Sequence, residues 1–360
     1  MTILTLSVQC ISEAMSYFLT ECLPPECTDD TTQRLLNELC KIAISIIQSS
    51  HTTEKPLGIE PVFALLQSLV MVYGDVIDED ALATIEGRVP PSGREIGRSL
   101  ENLLLITVSA ISTMLGTTWT STQHQGQGQP AFESKAAPAD SRKQISSRAL
   151  LAMFSLLRVC TEKCPVFLLH LPAAAGLDRN EDLLLRPAVE SAVASLLETD
   201  VDTCRGAMEF LEATLILSQS SSNDIRRIVD EILSRMWQNI ISGLVVGSCG
   251  KLRAVNLDDA ASLLRRILLV SSSTESTSAS TSYEETQSNL LQALASEHFL
   301  LGINGRNACL HFLTKSSRSD VTKEVLSKFL HDLWELHQTE NAEAVAESDA
   351  VAKFCRKYGS

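Results

Sequence analysis

A chain of 360 residues with 44% hydrophobic and 21% charged side chains is an ordinary globular mixture, with room for one solenoid or two compact domains around a sizeable core. Aromatics make up only 5%, so aliphatic side chains and Ala fill that core, which disfavours a sandwich of strands and favours close-packed helices. A formal net charge of −14 repels nucleic acid and anionic lipid and draws basic partners at long range, although its plainest meaning is solubility.

The first predicted helical block runs from about Ile3 to Leu19 and is stopped by Pro24-Pro25. Met1 stands almost inside it, without a capping residue, which leads us to expect that upstream structure is missing. Asp29-Asp30-Thr31-Thr32 supplies N-cap candidates for a second helix, with Leu35, Leu36, Leu39, Ile42, Ala43 and Ile46 at helical spacing. A third starts near Pro61, where a missing N–H does no harm, and carries Val62, Leu65, Leu66, Leu69 and Val70 as its stripe. Asp75 to Gly93, acidic and then Pro/Gly-rich, reads as a loop with a short helical piece, and Glu95 to Leu115 as helix again. Trp119 to Ser141 contains Gln125-Gly126-Gln127-Gly128-Gln129-Pro130; such a composition buries too little apolar surface to order itself.

A helical run from Leu151 ends in Thr161-Glu162-Lys163-Cys164-Pro165-Val166-Phe167-Leu168, a second over Leu183 to Leu197 closes on Glu198-Thr199-Asp200, and a third carries Ala207, Phe210 and Leu211. In the helix from Asn223 to about Gly243, Ile225, Ile228, Val229, Ile232, Met236 and Ile240 recur in steps of three and four. Leu257 to Val270 begins with Asp258 and Asp259 in its first turn, where the helix macrodipole favours anions. Ser271 to Ser282 is a Ser/Thr tract and reads as a loop. Tyr283 to Leu301, Asn304 to Leu313, Ser319 to His337 and Asn341 to Tyr358 complete the helices. Asn304-Gly305 lies between two helical stretches and reads as a turn, and strand signals are nearly absent.

Units starting near Gln144, Thr203, Leu257 and Asn304 repeat about every 50 residues, a little longer than HEAT or armadillo units. The expected fold is therefore all-α, an α-α superhelix of the HEAT/armadillo-like solenoid kind. The expected organisation is N-terminal helical repeats over 1–118, a flexible insertion over 119–144, and C-terminal helical repeats over 145–360 with a loop at 271–282.

Candidate chemistry is sparse. Cys160 and Cys164 stand one helical turn apart, and Cys22 and Cys27 lie near another helix end. A zinc site needs four ligands at compatible spacing, and each pair is half a site without a nearby His. Cys10, Cys40, Cys204 and Cys309 read as small buried hydrophobes, and the ten cysteines as reduced thiols. The histidines His51, His124, His170, His298, His311, His331 and His337 are scattered and form no metal or protease motif; His311 and His331 flank apolar stripes. There is no nucleophile elbow and no P-loop. Gly243, Gly247 and Gly250 follow a helix rather than a strand, so they read as a helix C-terminus rather than a phosphate cradle. Asp75, Asp78, Glu79, Asp80 and Glu86 do not have the spacing of an EF-hand and read as a solvated acidic loop. Arg226-Arg227 and Arg265-Arg266 read as flanks of core stripes or as partners of Asp230, Glu231 and Asp259. As an RNA patch they lack stacking aromatics apart from Trp237. We accordingly expect no catalytic, cofactor-binding or metal-binding residues, no enzyme activity, no bound nucleic acid and no membrane insertion; the longest apolar runs, such as Leu103 to Leu115, are too short to span a bilayer. No secretory signal is visible at Met1 to Leu6.

One stretch carries a family likeness. Cys164-Pro165-Val166-Phe167-Leu168 reads as a Cys-Pro-x-x-Phe/Leu turn at a helix end. Ala188 to Asp200 reads as an apolar helix closing on an acidic turn, and Ala207-Met208-Glu209-Phe210-Leu211 fits Ala-x-x-Phe-Leu in the next helix. On these residues, Leu151 to Leu211 resembles the C-terminal half of the importin-13/transportin-3 branch of the karyopherin-β family, and a looser similarity extends over about residues 145–315. The resemblance implies HEAT repeats and a nuclear transport receptor-like scaffold that binds protein cargo for import into the nucleus; the net charge of −14 points to basic segments of such cargo. The resemblance also implies a partial or truncated member found in cytoplasm and nucleus. In the family, Ran GTPase binds N-terminal repeats that have no counterpart in this chain, and no cargo-binding residue matches closely enough to carry over. The alternative is a general HEAT/armadillo protein-interaction scaffold unrelated to nuclear transport.

Overall fold

The computed structural model describes residues 38, 59–88, 147–174, 185–196, 200–272, 301–318, 321–338 and 349–359. The described residues are helical, with no strand among them, so the fold is all-α. The predicted first, second and Glu95–Leu115 helices, the 119–144 insertion, the helix before Leu301 and residues 273–282 of the Ser/Thr loop lie outside the described residues. The chain divides into two compact units, residues 1–188 and 189–360.

In the first unit, α1 (Ile59–Ile85) packs against α2 (Ser147–Lys163) and α3 (Pro165–Ala174). The predicted stripe is buried: Val62, Leu65, Leu66, Leu69 and Val70 are at most 6% exposed. The acidic loop expected from Asp75 is instead the second half of the same helix. Tyr73, Ile77, Asp80 and Ala83 are buried and extend the apolar stripe at helical spacing, which outweighs the modest cost of acidic side chains on the outer face. The chain leaves the helix only at Glu86-Gly87, where Gly87 has φ 69°. The helices α1 and α2 approach closely at Gly74: a Cβ there would lie 2.6 Å from Lys163 Cβ.

The residues Val166-Phe167-Leu168, expected as a turn, form the first turn of α3. Pro165 takes its first position, where the absent N–H is not needed, and Cys164 joins the two helices through Cys164 N–H to Cys160 C=O and Leu168 N–H to Cys164 C=O. The helix α4 (Leu185–Ser195) spans the division between the units and buries Ala188, Val189, Ala192 and Val193.

In the second unit, α5 (Val201–Leu217) is followed by α6 (Asn223–Val246), a π-helical turn (Gly247–Lys251), a 3-10 turn (Ala254–Asn256), α7 (Leu257–Ser272), α8 (Gly302–Arg318), α9 (Lys323–His337) and α10 (Asp349–Tyr358). Asp200, expected to close the preceding run, opens α5: its carboxylate accepts from Thr203 N–H at 2.9 Å and from Thr203 Oγ1 at 2.6 Å. The α6 stripe is buried as its spacing predicts, apart from half-buried Ile228. Ser271 and Ser272 belong to α7 rather than to a loop.

The expected Asn304-Gly305 turn is also corrected. Both residues lie in the first turn of α8, and the break falls earlier, at Gly302 with φ 65°. Gly305 is there because Leu301 folds back on it; a Cβ would come within 2.3 Å of Leu301 Cβ.

The core of this unit is α7, which packs on α5, α8 and α9, with α10 held against α8 and α9. Phe312 stacks on Phe329 with ring centroids 4.5 Å apart, and Phe354 and Tyr358 close the cluster from α10. Side-chain pairing fixes direction. Arg205 meets Asp259 while Glu212 meets Ser262 and Arg266, so α5 and α7 run parallel. Arg265 meets the Val321 carbonyl while Asp258 meets Ser327 and His331, so α9 runs antiparallel to α7.

Candidate partner-binding faces

Two polar surfaces stand out, one in each unit. The first is a ladder across α5, α7 and α9. Spaced by three or four residues, Asp202, Arg205, Glu209 and Glu212 share one face of α5, as Asp258, Asp259, Ser262, Arg265 and Arg266 share one face of α7. Arg205 Nε donates to Asp259 Oδ2 at 3.1 Å. Ser262 Oγ donates to Glu212 at 3.2 Å, and Arg266 lies 3.9 Å from the same carboxylate. Arg265 Nε donates to the Val321 carbonyl at 3.1 Å. Near the start of α7, Asn256 Nδ2 donates to the Val201 carbonyl at 3.1 Å. These rungs are about a third exposed, so solvent screens them and they set register and direction more than they add stability.

Of the two sequence readings of Arg265 and Arg266, flanking a core stripe or pairing with acids that include Asp259, the second does not hold for Asp259. The structure instead gives Asp259 to Arg205, because α5 lies on that side of α7. Arg227 lies 3.9 Å from Asp224, and Arg226 hydrogen-bonds Asn223 and stands near Asp230, where burial outweighs it and raises the Asp230 carboxyl. Glu231 pairs with Arg235 at 2.6 Å. Trp237, the one aromatic that would have stacked a base, is buried.

The second surface is the outer face of α1. This helix carries five carboxylates (Glu60, Asp75, Asp78, Glu79 and Asp80) and no Lys, Arg or His. Asp80 is buried. Asp78 turns toward α3: its Oδ1 accepts from Phe167 N–H at 3.0 Å, and Val166 N–H also bonds to it. Burial raises this carboxyl, against the lowering effect of those two N–H groups, and nearby Asp75 raises it further. Asp75 itself lies 3.7 Å from Lys163 Nζ. On the exposed face, Met71 and Leu82 are 49% and 39% exposed.

Among the described residues no three His, Cys, Asp or Glu side chains are grouped to hold a metal. Cys160, Cys164, Cys204 and Cys309 are buried free thiols, and Cys249 and Cys355 are free as well; Cys10, Cys22, Cys27 and Cys40 lie outside the described residues. Contact with Cys160, then burial, pushes the Cys164 thiol up, and burial pushes Cys249 up to about 12 and Cys309 well up. Protonated, packed thiols of this kind are poor nucleophiles. His311 is exposed, His331 lies 3.8 Å from Asp258, and His337 is buried, which lowers its pKa, with Nδ1 2.8 Å from the Leu333 carbonyl. The side chains of His51, His124, His170 and His298 are not among those described. Gly243 lies within α6 and Gly247 and Gly250 in the π-helical turn. A Cβ on Gly247 would meet Leu252 at 2.8 Å, so this glycine serves packing. A small void in the core of the second unit is lined by Leu244, Leu264, Cys309, Leu313, Phe329 and other apolar side chains, with no polar group to orient a substrate. No described helix is long and apolar enough to cross a membrane.

The chain matches no protein-family model and no curated protein.

Proposed function

We propose that this chain is a non-catalytic protein-binding scaffold, a HEAT/armadillo-like α-α superhelix that holds a protein cargo with a basic segment, in the manner of a partial nuclear transport receptor working between cytoplasm and nucleus. The observation that carries the scaffold reading is the parallel stacking of α5 on α7 through a side-chain ladder, since copies of one unit stacked by translation bring equivalent helices together in the same direction. The transport reading rests on the resemblance of Leu151 to Leu211 to the karyopherin-β family; Ala207, Phe210 and Leu211, which carry part of it, are fully buried packing residues. The basic cargo follows from the net charge of −14.

The second reading is a general helical interaction scaffold unrelated to transport. The difference between the two edges of α7 favours it: Arg205 meets the Asp259 carboxylate on the α5 side, whereas Arg265 reaches the Val321 backbone carbonyl just before α9.

The test is titration of the purified full chain with a labelled basic protein segment at low and at physiological salt, and separately with GTP-bound Ran. Expected are binding that weakens as salt rises, because charges are screened beyond roughly 8 Å at physiological ionic strength, and no response to Ran. Ran binding at a micromolar Kd, about −8 kcal/mol, would overturn the partial-receptor reading. No binding of any basic segment at low salt would leave the general scaffold.

A further inference from the structure

We infer that the outer face of α1 is a docking surface for a cationic amphipathic helix, an inference that deepens the basic-cargo reading and rests on it. Ala64, Met71, Asp75, Glu79 and Leu82 fall on one line along α1, at steps of seven, four, four and three, and all are exposed. Among the described residues Met71 and Leu82 are two of the large apolar side chains left in solvent, at 49% and 39%. They stand eleven positions apart, about 16 Å along a helix, which is the spacing of two anchors on a partner helix lying alongside. Between them sit Asp75 and Glu79.

The charge on this face decides the partner. Asp75 stands one turn from Asp78 and Glu79, and like charges at that spacing repel. Among the described residues Lys163, 3.7 Å from Asp75, is the cation that offsets the repulsion there, and Arg88 is taken by Glu86 beyond the helix end. Among the described residues Glu79 has no cation against it. A helix bearing Lys or Arg beside two apolar side chains therefore covers Met71 and Leu82 and relieves the repulsion together, whereas an acidic or neutral helix does only the first.

The experiment uses the full chain and a fluorescent synthetic peptide of about 18 residues, Leu and Lys in an amphipathic helical pattern. A scrambled peptide of identical composition tests for net charge alone, and a Leu/Glu version tests for apolar contact alone. The amphipathic Lys peptide is expected to bind at least tenfold more tightly than either control. Met71→Arg with Leu82→Arg, and separately Glu79→Lys, should each weaken it at least tenfold while helix content by circular dichroism is unchanged. Met71→Ala with Leu82→Ala should weaken it in the same direction, and serves if the Arg pair fails to fold. Equal binding of the scrambled peptide, or binding indifferent to all these substitutions, overturns this docking face while leaving the scaffold reading intact; failure of every basic probe to bind overturns the reading itself. A wild-type dimer in light scattering that Met71→Arg dissolves would assign the face to a second copy of the chain and overturn the cationic partner.

Discussion

The Asp78 carboxylate caps a helix far along the chain, accepting at 3.0 Å from the N–H of Phe167, 89 residues later. The first N–H groups of a helix have no internal partners, and α3 follows α2 so directly that Cys164 leaves no room for a local Ser, Thr or Asp. The acceptor comes instead from α1, so the cap also ties α1 to α3.

Removing the acceptor tests this. Asp78→Ala should destabilise the protein by about 1 kcal/mol, the usual cost of a lost cap. Asp78→Asn keeps an oxygen acceptor and sheds the buried charge, so it should cost less. Because the folded carboxyl is raised, the native state binds more protons than the unfolded chain just above the unfolded value of 3.8, and stability falls as pH rises through that window. Urea melts of wild type and Asp78→Asn should therefore diverge in the Asn variant's favour as pH climbs from 4 toward 7. Parallel curves would refute the assignment.

At Gly74 the close neighbour is the Lys163 Cβ. Gly74→Ala should gain helix propensity of about 1 kcal/mol yet lose more, about 1–3 kcal/mol, to overpacking against Lys163 Cβ at 2.6 Å. A lowered Tm is expected, and a raised Tm would show that α1 and α2 are not this close.

Tyr358 donates to Asp332 Oδ2 at 2.6 Å, and Lys357 bonds to the same carboxylate. Burial opposes ionisation of Asp332, but those two donors outweigh it and lower its pKa, so its contribution is present above an unfolded value of 3.8 and lost as pH falls through the folded one. Burial, then Asp332, pushes the Tyr358 phenol up to about 12. The phenol's contribution is complete below its ordinary value of 10.0 and is lost as pH rises toward 12. Tyr358→Phe should cost about 1 kcal/mol near neutrality and flatten the alkaline limb of the stability curve. An unchanged alkaline limb in thermal melts would contradict the contact.

The ladder predicts small numbers. A double-mutant cycle on Arg205→Ala and Asp259→Ala should give a coupling of roughly 0.2–1 kcal/mol that shrinks with added salt. A coupling of zero at low salt would mean that α5 and α7 are not aligned as described.

Much of the fold was legible because periodic apolar stripes, as in α6, survive translation into structure: Ile225, Val229, Ile232, Met236 and Ile240 are all buried. The second half of α1 was not legible. Asp75, Asp78, Glu79 and Asp80 look like a loop by composition, yet Tyr73, Ile77 and Ala83 continue the stripe beneath them, and a buried acid such as Asp80 has no local signal. The docking face was hidden for the same reason, since a loop has no face. Nor do residues 54 apart in sequence announce each other: Arg205 and Asp259 are joined only by the packing of their helices. Helix direction is equally invisible, because amphipathic patterns read alike in both orientations.

The reversal at α9 bears on how such a chain can evolve. A run of parallel units lengthens by copying one unit and inserting it beside its parent, because each new interface repeats an old one. The interface of α9 with α7 does not repeat that of α7 with α5: Arg265 reaches a backbone carbonyl rather than a carboxylate on the next helix. The interface between α5 and α7 is the one that a copied unit reproduces, whereas a copy placed against α9 needs an edge of the second kind.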